Sequence, residues 1–213
     1  MRTGRCAARP VNATVARDTE LDGRTRGGHT MAEMLPHAGT GTGMLGKCPL
    51  GDTRGRFPTD QGFDEWYGIP NSTDEGFWNA ADNPRFRRDV HPLTQRVYSV
   101  MEGRKGASPK AVRPYDMKER KVMDRELTDR SIDFMKRHVK GDKPFFLFIP
   151  FTQTHLPVEP HPAFRGSTGN GPFADVLAQL DAYVGELLDA VDELGLRDNT
   201  IFIFTAANGP EMV

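Results

Sequence analysis

The sequence has no long apolar run, only two cysteines and no excess of charge of either sign. No window approaches the roughly 20 apolar residues that a membrane-spanning helix requires, and the opening residues lack the pattern of a secretory signal. Lysine and arginine number 28 against 29 aspartates and glutamates. The bulk charge therefore favours neither a nucleic acid nor a membrane as a partner, and the sequence alone leaves the compartment and the oligomeric state open.

The two cysteines, Cys6 and Cys48, are too few for a disulfide framework or a cysteine-based metal site. A chain of 213 residues is long enough for one domain with a substantial core. Residues 1–30 are rich in arginine, glycine and threonine without apolar periodicity, which predicts an irregular N-terminal segment. Residues 31–213 are predicted to form the domain.

The first part of that domain gives weak signals of regular structure. Residues 31–35 favour one helical turn that Pro36 ends, because proline lacks the backbone N–H that a helix needs. Residues 42–47 have the pattern of a short strand that ends at Lys47. Residues 51–120 are rich in glycine, proline, aspartate and arginine, so we expect long loops there rather than a packed layer.

The second part gives strong signals. Apolar spacing predicts a helix from near Asp124 to Gly141 and a second helix over residues 173–191. The continuous apolar run of residues 145–149 has the pattern of a strand buried on both faces, and residues 201–205 are predicted to form a second strand. A strand, a helix and a strand in succession predict parallel neighbours joined by a right-handed crossover. The predicted fold class is α/β, with a mainly parallel sheet flanked by helices.

Three polar residues follow the predicted strands: Lys47, His155 and Asn208. Ligands of open α/β sheets bind beyond the carboxyl ends of the strands. Lys47 is thus a candidate for binding an anion, His155 for acid–base chemistry, and Asn208 for offering a carbonyl oxygen to a hard cation. Each also has an ordinary explanation, since a lysine is commonly a solvated charge, a histidine a plain polar residue and Asn-Gly-Pro a turn.

Three segments together resemble the sulfatase family, which has the alkaline-phosphatase-like fold. They are residues 32–52 with Thr-Gly-Met-Leu-Gly-Lys at 42–47, residues 57–68 with Phe-Pro-Thr-Asp-Gln-Gly-Phe-Asp-Glu-Trp-Tyr-Gly, and residues 144–211. The resemblance implies an arylsulfatase-like sulfuric ester hydrolase acting on a sulfated small molecule or a sulfated glycan. It further implies a formylglycine nucleophile, made from a cysteine, and a Ca²⁺ ion.

The same resemblance implies roles for the three candidate residues. Lys47 matches the lysine that holds a sulfate oxygen, His155 matches the histidine that protonates the leaving alcohol, and Asn208 matches a calcium ligand. These roles suit the chemistry, because the transferring sulfuryl group accumulates negative charge on oxygen and an alkoxide leaving group needs a proton.

Several positions depart from the family pattern. The signature Cys-x-Pro/Ala-x-Arg is absent, because the arginine after Cys6 arrives one position too early. Pro49 stands in place of a supporting histidine, and Ala207 in place of a calcium-binding aspartate. We therefore expect a truncated fragment that begins just downstream of its nucleophile, lacks formylglycine, has an incomplete calcium site and is inactive alone.

Two other readings remain open. The chain is alternatively a non-catalytic remnant that binds an anion or a sulfated glycan through Lys47 and His155. A phosphate-ester hydrolase with a serine or threonine nucleophile has the least support, since no such residue stands at a strand end before Lys47. The exposed strand edges of half a sheet also make a poorly folded product a serious alternative.

Overall fold

The computed structural model describes residues 30–35, 39–73, 98–141, 143–206 and 209. The predicted irregular segment, residues 1–30, lies outside the described residues except for Thr30. Ala207 and Asn208 also lie outside them. The predicted domain boundary near residue 30 therefore stays a prediction.

The described part of the chain forms one five-stranded sheet with helices on its faces, which confirms the predicted α/β class. Along the sheet the strands stand in the order β4-β3-β2-β1-β5. Strand β1 is parallel to both β2 and β5, whereas β3 is antiparallel to β2 and β4. The strands are β1 (Gly41–Leu45), β2 (Glu65–Gly68), β3 (Ser99–Arg104), β4 (Lys110–Pro114) and β5 (Phe145–Phe148). The α-helices are α1 (Met31–Met34), α2 (Met117–Lys140) and α3 (Pro172–Glu193), and Pro58–Gln61 and Arg197–Asn199 form short 3-10 helices. None of the described helices is long and apolar enough to cross a membrane.

Alternation along the strands divides the core between the two faces of the sheet. Leu45 and Tyr67 belong to the core on the face that α2 covers, and Leu147 packs against the same core. Met44 and Trp66 point to the other face, where they pack with Ala32 of α1. Because α2 and α3 cover one face and the segment with the one-turn α1 packs on the other, the central strands carry apolar residues on both faces.

Helix α2 begins seven residues before the predicted start. The carboxylate of Asp116 accepts hydrogen bonds from the backbone N–H groups of Lys118 and Glu119, each at 2.9 Å, and so caps the helix. The apolar spacing from near Asp124 detected the helix up to its C-cap at Gly141 but missed its first two turns. Helix α3 agrees with its prediction, although Leu177 remains 46% exposed, so its apolar stripe is only partly buried.

Two predictions were wrong. Residues 51–120 were expected to be loops, yet they contain β2, β3 and β4. These strands are four to six residues long, and the surrounding glycine, proline and arginine obscured their pattern.

Residues 201–205 were expected to form a second strand, yet the structure assigns no strand there. Ile201 and Ile203 are 89% and 78% exposed. The physical reason is that no described strand pairs with this segment. Strand β5 is accordingly an edge of the described sheet, and its residues are half-buried rather than fully buried.

Candidate functional site

The carboxyl ends of three parallel strands meet at one edge of the sheet. Backbone pairing continues past the ends of these strands: the Lys47 N–H donates to the Pro150 carbonyl at 3.0 Å, and the Cys48 N–H donates to the Ile69 carbonyl at 2.9 Å. Lys47 follows β1, and His155 lies on the loop that follows β5. Both therefore belong to the same edge of the sheet.

Two glycines allow the three strand ends to approach this closely. A Cβ atom on Gly46, which has φ of 145°, would lie 2.1 Å from the Pro150 carbonyl oxygen. A Cβ atom on Gly68, which has φ of 158°, would lie 1.8 Å from the Gly46 carbonyl oxygen. Atoms cannot come so near one another, so only glycine fits where β1 meets its two neighbours.

The imidazole of His155 contacts side chains that follow β2. Its Nε2 lies 3.3 Å from the Ser72 hydroxyl, and its Nδ1 lies 3.2 Å from the Thr73 hydroxyl and 3.2 Å from the Leu156 carbonyl. The Thr73 hydroxyl donates its single proton to the Leu156 carbonyl at 2.6 Å. Toward the imidazole this hydroxyl can therefore only accept, as can the carbonyl.

These contacts assign the tautomer of the neutral His155 ring. Because both neighbours of Nδ1 act as acceptors, Nδ1 carries the proton. Nε2 is then the unprotonated nitrogen and accepts from the Ser72 hydroxyl. When the ring takes up a second proton, it does so at Nε2.

Ser72 and Thr73 were missed by sequence reasoning, because residues 51–120 were interpreted as loops. Both are buried. A usable signal was present: the short aromatic run at residues 65–68 is followed within five residues by Asn71, Ser72 and Thr73, the same order of strand and polar residues as in the other segments.

A buried arginine of α2 holds the loop that carries His155. Arg120 is 1% exposed, and its guanidinium donates to the carbonyl of His155 at 2.9 Å and to the carbonyl of Pro157 at 3.1 Å. It also donates to the Thr152 hydroxyl at 2.7 Å and to the Gln153 side-chain carbonyl at 2.8 Å. One side chain thus spans the loop from its first residue to its last.

A buried aspartate one helical turn later holds the start of the same loop. Asp124 is 2% exposed and accepts from the Thr152 N–H at 2.9 Å and from the Gln153 N–H at 3.0 Å. It also accepts from the Thr152 hydroxyl at 2.8 Å, so that this hydroxyl bridges Asp124 and Arg120. Loop 152–157 is defined from here on as the His155 loop.

A second polar cluster joins β2 and β4 to α2. The Tyr67 hydroxyl donates to Glu126 at 2.7 Å, and Arg113 and Arg130 also donate to this carboxylate. Burial alone would raise the pKa of Glu126, but the hydrogen bonds from these three partners outweigh it and lower the pKa. Burial, followed by the interaction with Glu126, raises the pKa of Tyr67. This cluster stabilises the sheet and lies apart from the His155 ring contacts.

The described residues do not fit a calcium ion. They contain no group of three or more histidine, cysteine, aspartate or glutamate side chains that could hold a metal. The carboxylate in contact with the His155 loop, that of Asp124, accepts three hydrogen bonds from the loop. The predicted ligand Asn208 lies outside the described residues, so its role stays a prediction.

An open α/β sheet with polar side chains gathered beyond its parallel strand ends belongs to the class in which ligands bind at that edge. Sequence comparison narrows the class. The family model for Sulfatase matches residues 4–213, and this chain belongs to the sulfatase family.

Individual relatives agree with this assignment. The chain is 36% identical to human (Homo sapiens) arylsulfatase A over 192 residues, which cover 85% of this chain and 36% of that protein. It is 31% identical to N-acetylgalactosamine-6-O-sulfatase of Bacteroides thetaiotaomicron, over 85% of this chain and 42% of that protein. The chain therefore spans well under half the length of these relatives.

Solved structures confirm the alkaline-phosphatase-like fold. The described chain superposes on PsFucS1 sulfatase from Pseudoalteromonas sp. with a TM-score of 0.79 at 24% sequence identity. The match covers 92% of this chain and 41% of that structure.

Proposed function

We propose that this chain is the part of a sulfatase domain that binds the sulfate group and protonates the leaving alcohol of a sulfuric ester. The ester belongs to a small molecule or to a sulfated glycan. The observation that carries the proposal is the convergence of Lys47 and His155 at one edge of the sheet, in a chain of the sulfatase family. The names of the relatives, an arylsulfatase and an N-acetylgalactosamine-6-O-sulfatase, support both kinds of substrate.

The two residues have complementary tasks. In the protonated ring, the Nε2–H of His155 donates a proton to the oxygen of the departing alcohol, which could not leave as a free alkoxide. The Nδ1–H continues to donate to the Leu156 carbonyl and the Thr73 hydroxyl, and these hydrogen bonds keep the ring oriented. The ammonium of Lys47 stabilises the charge that accumulates on the sulfate oxygens.

We further propose that this chain does not hydrolyse sulfate esters by itself. The sequence contains no cysteine in the signature from which formylglycine forms, and Pro49 and Ala207 replace residues of the family site. Positioning groups without a nucleophile leave only residual catalysis.

Hydrolysis of an aryl sulfate tests the proposed inactivity directly. The purified chain and its His155→Ala variant are expected to release phenol at the same rate, that of the buffer. Release by the unaltered chain above the rate of His155→Ala would contradict the inactivity and would establish His155 as a catalytic residue.

Binding without hydrolysis is the second candidate function. It is favoured by the position of Lys47, which follows β1 and whose N–H pairs with the Pro150 carbonyl just before the His155 loop, even in the absence of a nucleophile. We expect retention on a sulfated-glycan resin that weakens with salt, because exposed charges are screened. Lys47→Ala is expected to abolish retention, whereas Lys110→Ala, on the exposed edge strand β4, is the matched control and is expected to keep it. Equal retention of the two variants, or none at low salt, would exclude specific binding at this edge.

A further inference from the structure

The His155 loop is held by two charged side chains that are almost completely removed from water. We propose that Arg120 and Asp124 are positioning residues for His155: they fix the backbone of the His155 loop so that the ring presents Nε2 at the strand-end edge. That Nε2 then protonates a leaving alcohol rests on the proposed function. That Arg120 and Asp124 position the His155 ring does not.

Burial of these two groups cannot be explained by stability alone. Removing an arginine and an aspartate from water is costly, and packed hydrocarbon side chains often stabilise a core equally well. A buried ionic group differs from hydrocarbon in that its hydrogen bonds have direction. In this protein the Arg120 guanidinium and the Asp124 carboxylate each form several hydrogen bonds to the His155 loop.

The hydrogen bonds are distributed so as to determine where the imidazole stands. Arg120 holds the carbonyl of His155 itself and that of Pro157, two residues later. Asp124 holds the N–H groups of Thr152 and Gln153 before it. The rigid guanidinium fork fixes the relative positions of the groups that it contacts. The backbone is thus fixed on both sides of His155 by one face of α2.

The opposite side of the ring is sensitive to that position. The contacts of its nitrogens with Ser72 and Thr73, at 3.3 Å and 3.2 Å, are already at the long end of the range for hydrogen bonds. A small displacement of the loop would lengthen both contacts beyond that range. Without them only the Leu156 carbonyl of the same loop would favour the proton on Nδ1, so the preference for this tautomer would weaken.

The Thr152 hydroxyl provides a mild way to test the proposal, because it bridges Arg120 and Asp124. Thr152→Val removes the bridge while keeping the size of the side chain, and Thr152→Ser is the matched variant that keeps the hydroxyl. Arg120→Lys keeps the charge but removes the fork. Arg137→Met is the control on the same helix, since it loses its partners Glu65 and Asp133 without touching the His155 loop.

The measurement is the tautomer ratio of His155 in the full chain labelled with 15N-histidine. Long-range proton–nitrogen spectra are recorded about two pH units above the ordinary imidazole pKa of about 6.5, and His155→Gln assigns the signal. The unaltered chain, Thr152→Ser and Arg137→Met are expected to show the ring with its proton on Nδ1. Thr152→Val and Arg120→Lys are expected to lower the ratio of this tautomer to the other at least fivefold.

Two results with the variants would overturn the proposal. One is an unchanged tautomer ratio in folded Thr152→Val and Arg120→Lys. The other is the loss of the folded state in Thr152→Val but not in Thr152→Ser, which would make the bridge a folding element rather than a positioning device. Wild-type His155 with its proton on Nε2 would also contradict the proposed orientation.

A titration with inorganic sulfate separates this proposal from the proposed function. If sulfate shifts no signal near Lys47 or His155 while the variants change the tautomer ratio as expected, the proposed function fails and the positioning role stands. If sulfate binds equally to the unaltered chain, Thr152→Val and Arg120→Lys while the ratio stays constant, the positioning role fails and the anion site stands.

Discussion

Residues 145–157 and residues 201–206 share one sequence pattern but have opposite environments in the fold. Each begins with an apolar run that is followed by a threonine, Thr152 in the first segment and Thr205 in the second. The first run forms β5, which pairs with β1 in register from Phe145 opposite Gly41 to Phe148 opposite Met44. The second run is exposed and pairs with no described strand, although Leu196 just before it packs against the core under α2 and α3. An apolar run thus favours burial, but it forms a strand only where a neighbouring strand is available for backbone pairing.

The largest expected effect comes from disturbing the close contact between Gly46, at the end of β1, and Pro150, just after β5. Residues 201–206 have no such contact with a described strand. In Gly46→Ala the new Cβ would collide with the Pro150 carbonyl, in a backbone conformation that disfavours alanine. We expect a loss of about 3 kcal/mol or more from strain and overpacking together, measured by urea unfolding. Gly106→Ala is the control, since Gly106 also has a positive φ but nothing within 4 Å of the Cβ position; we expect a loss of about 1 kcal/mol there. Equal losses in the two variants would show that the junction is not tightly packed.

A charge placed in each run compares the two environments directly. Leu147→Asp would put a carboxylate where Leu147 packs against the cores on the α2 and α3 side of the sheet. We expect a loss of about 3 kcal/mol. Ile203→Asp should change the free energy of unfolding by less than about 0.5 kcal/mol, because Ile203 is 78% exposed. Similar losses from the two substitutions, in the same unfolding assay, would mean that residues 201–206 are packed in solution.

The smallest expected effect concerns the polar cluster around Glu126, which links β2 and β4 to α2. Glu126→Gln is expected to cost about 1–2 kcal/mol at pH 7. The folded state lowers the pKa of Glu126 below its ordinary value of 4.5, so the stabilisation is present above that value and is lost as the pH falls through the folded pKa. The difference between the two proteins should therefore shrink below about pH 4.5.

Asp133→Asn is the control for this pH dependence, because its pair with Arg137 lies at the surface, with Asp133 66% exposed. It is expected to cost at most about 0.5 kcal/mol. A Glu126→Gln difference that stays constant down to pH 3 would show that the hydrogen bonds, and not the charge, provide the stabilisation.

Sequence reasoning predicted what depends on local pattern. Apolar spacing predicted α3 and α2 from near Asp124 to its end, and the apolar run of residues 145–149 predicted β5. The strand before Lys47 and the family resemblance were also correct. These features need no knowledge of which segments meet.

What sequence reasoning missed depends on contacts between distant segments. Arg120 and Asp124 are one turn apart on a charged helix, a spacing that is typical of a solvated surface pair. Only the packing of α2 beneath the His155 loop shows that both are buried. Ser72 and Thr73 reach the imidazole across more than 80 positions of sequence, a separation at which residue spacing carries no information.

The two edges of the described sheet differ in what they would permit. Strand β4 presents Lys110, Arg113 and the ring of Pro114, and such residues discourage the addition of another strand. Strand β5, the other edge of the described sheet, consists of three phenylalanines and one leucine and carries no charge. Of the two edges of the described sheet, β5 is therefore the one at which a strand of another chain would pair more readily. If two copies paired through β5, each would leave its charged β4 edge exposed. Further strand addition would then be disfavoured, and the assembly would stop at a dimer instead of extending into a filament.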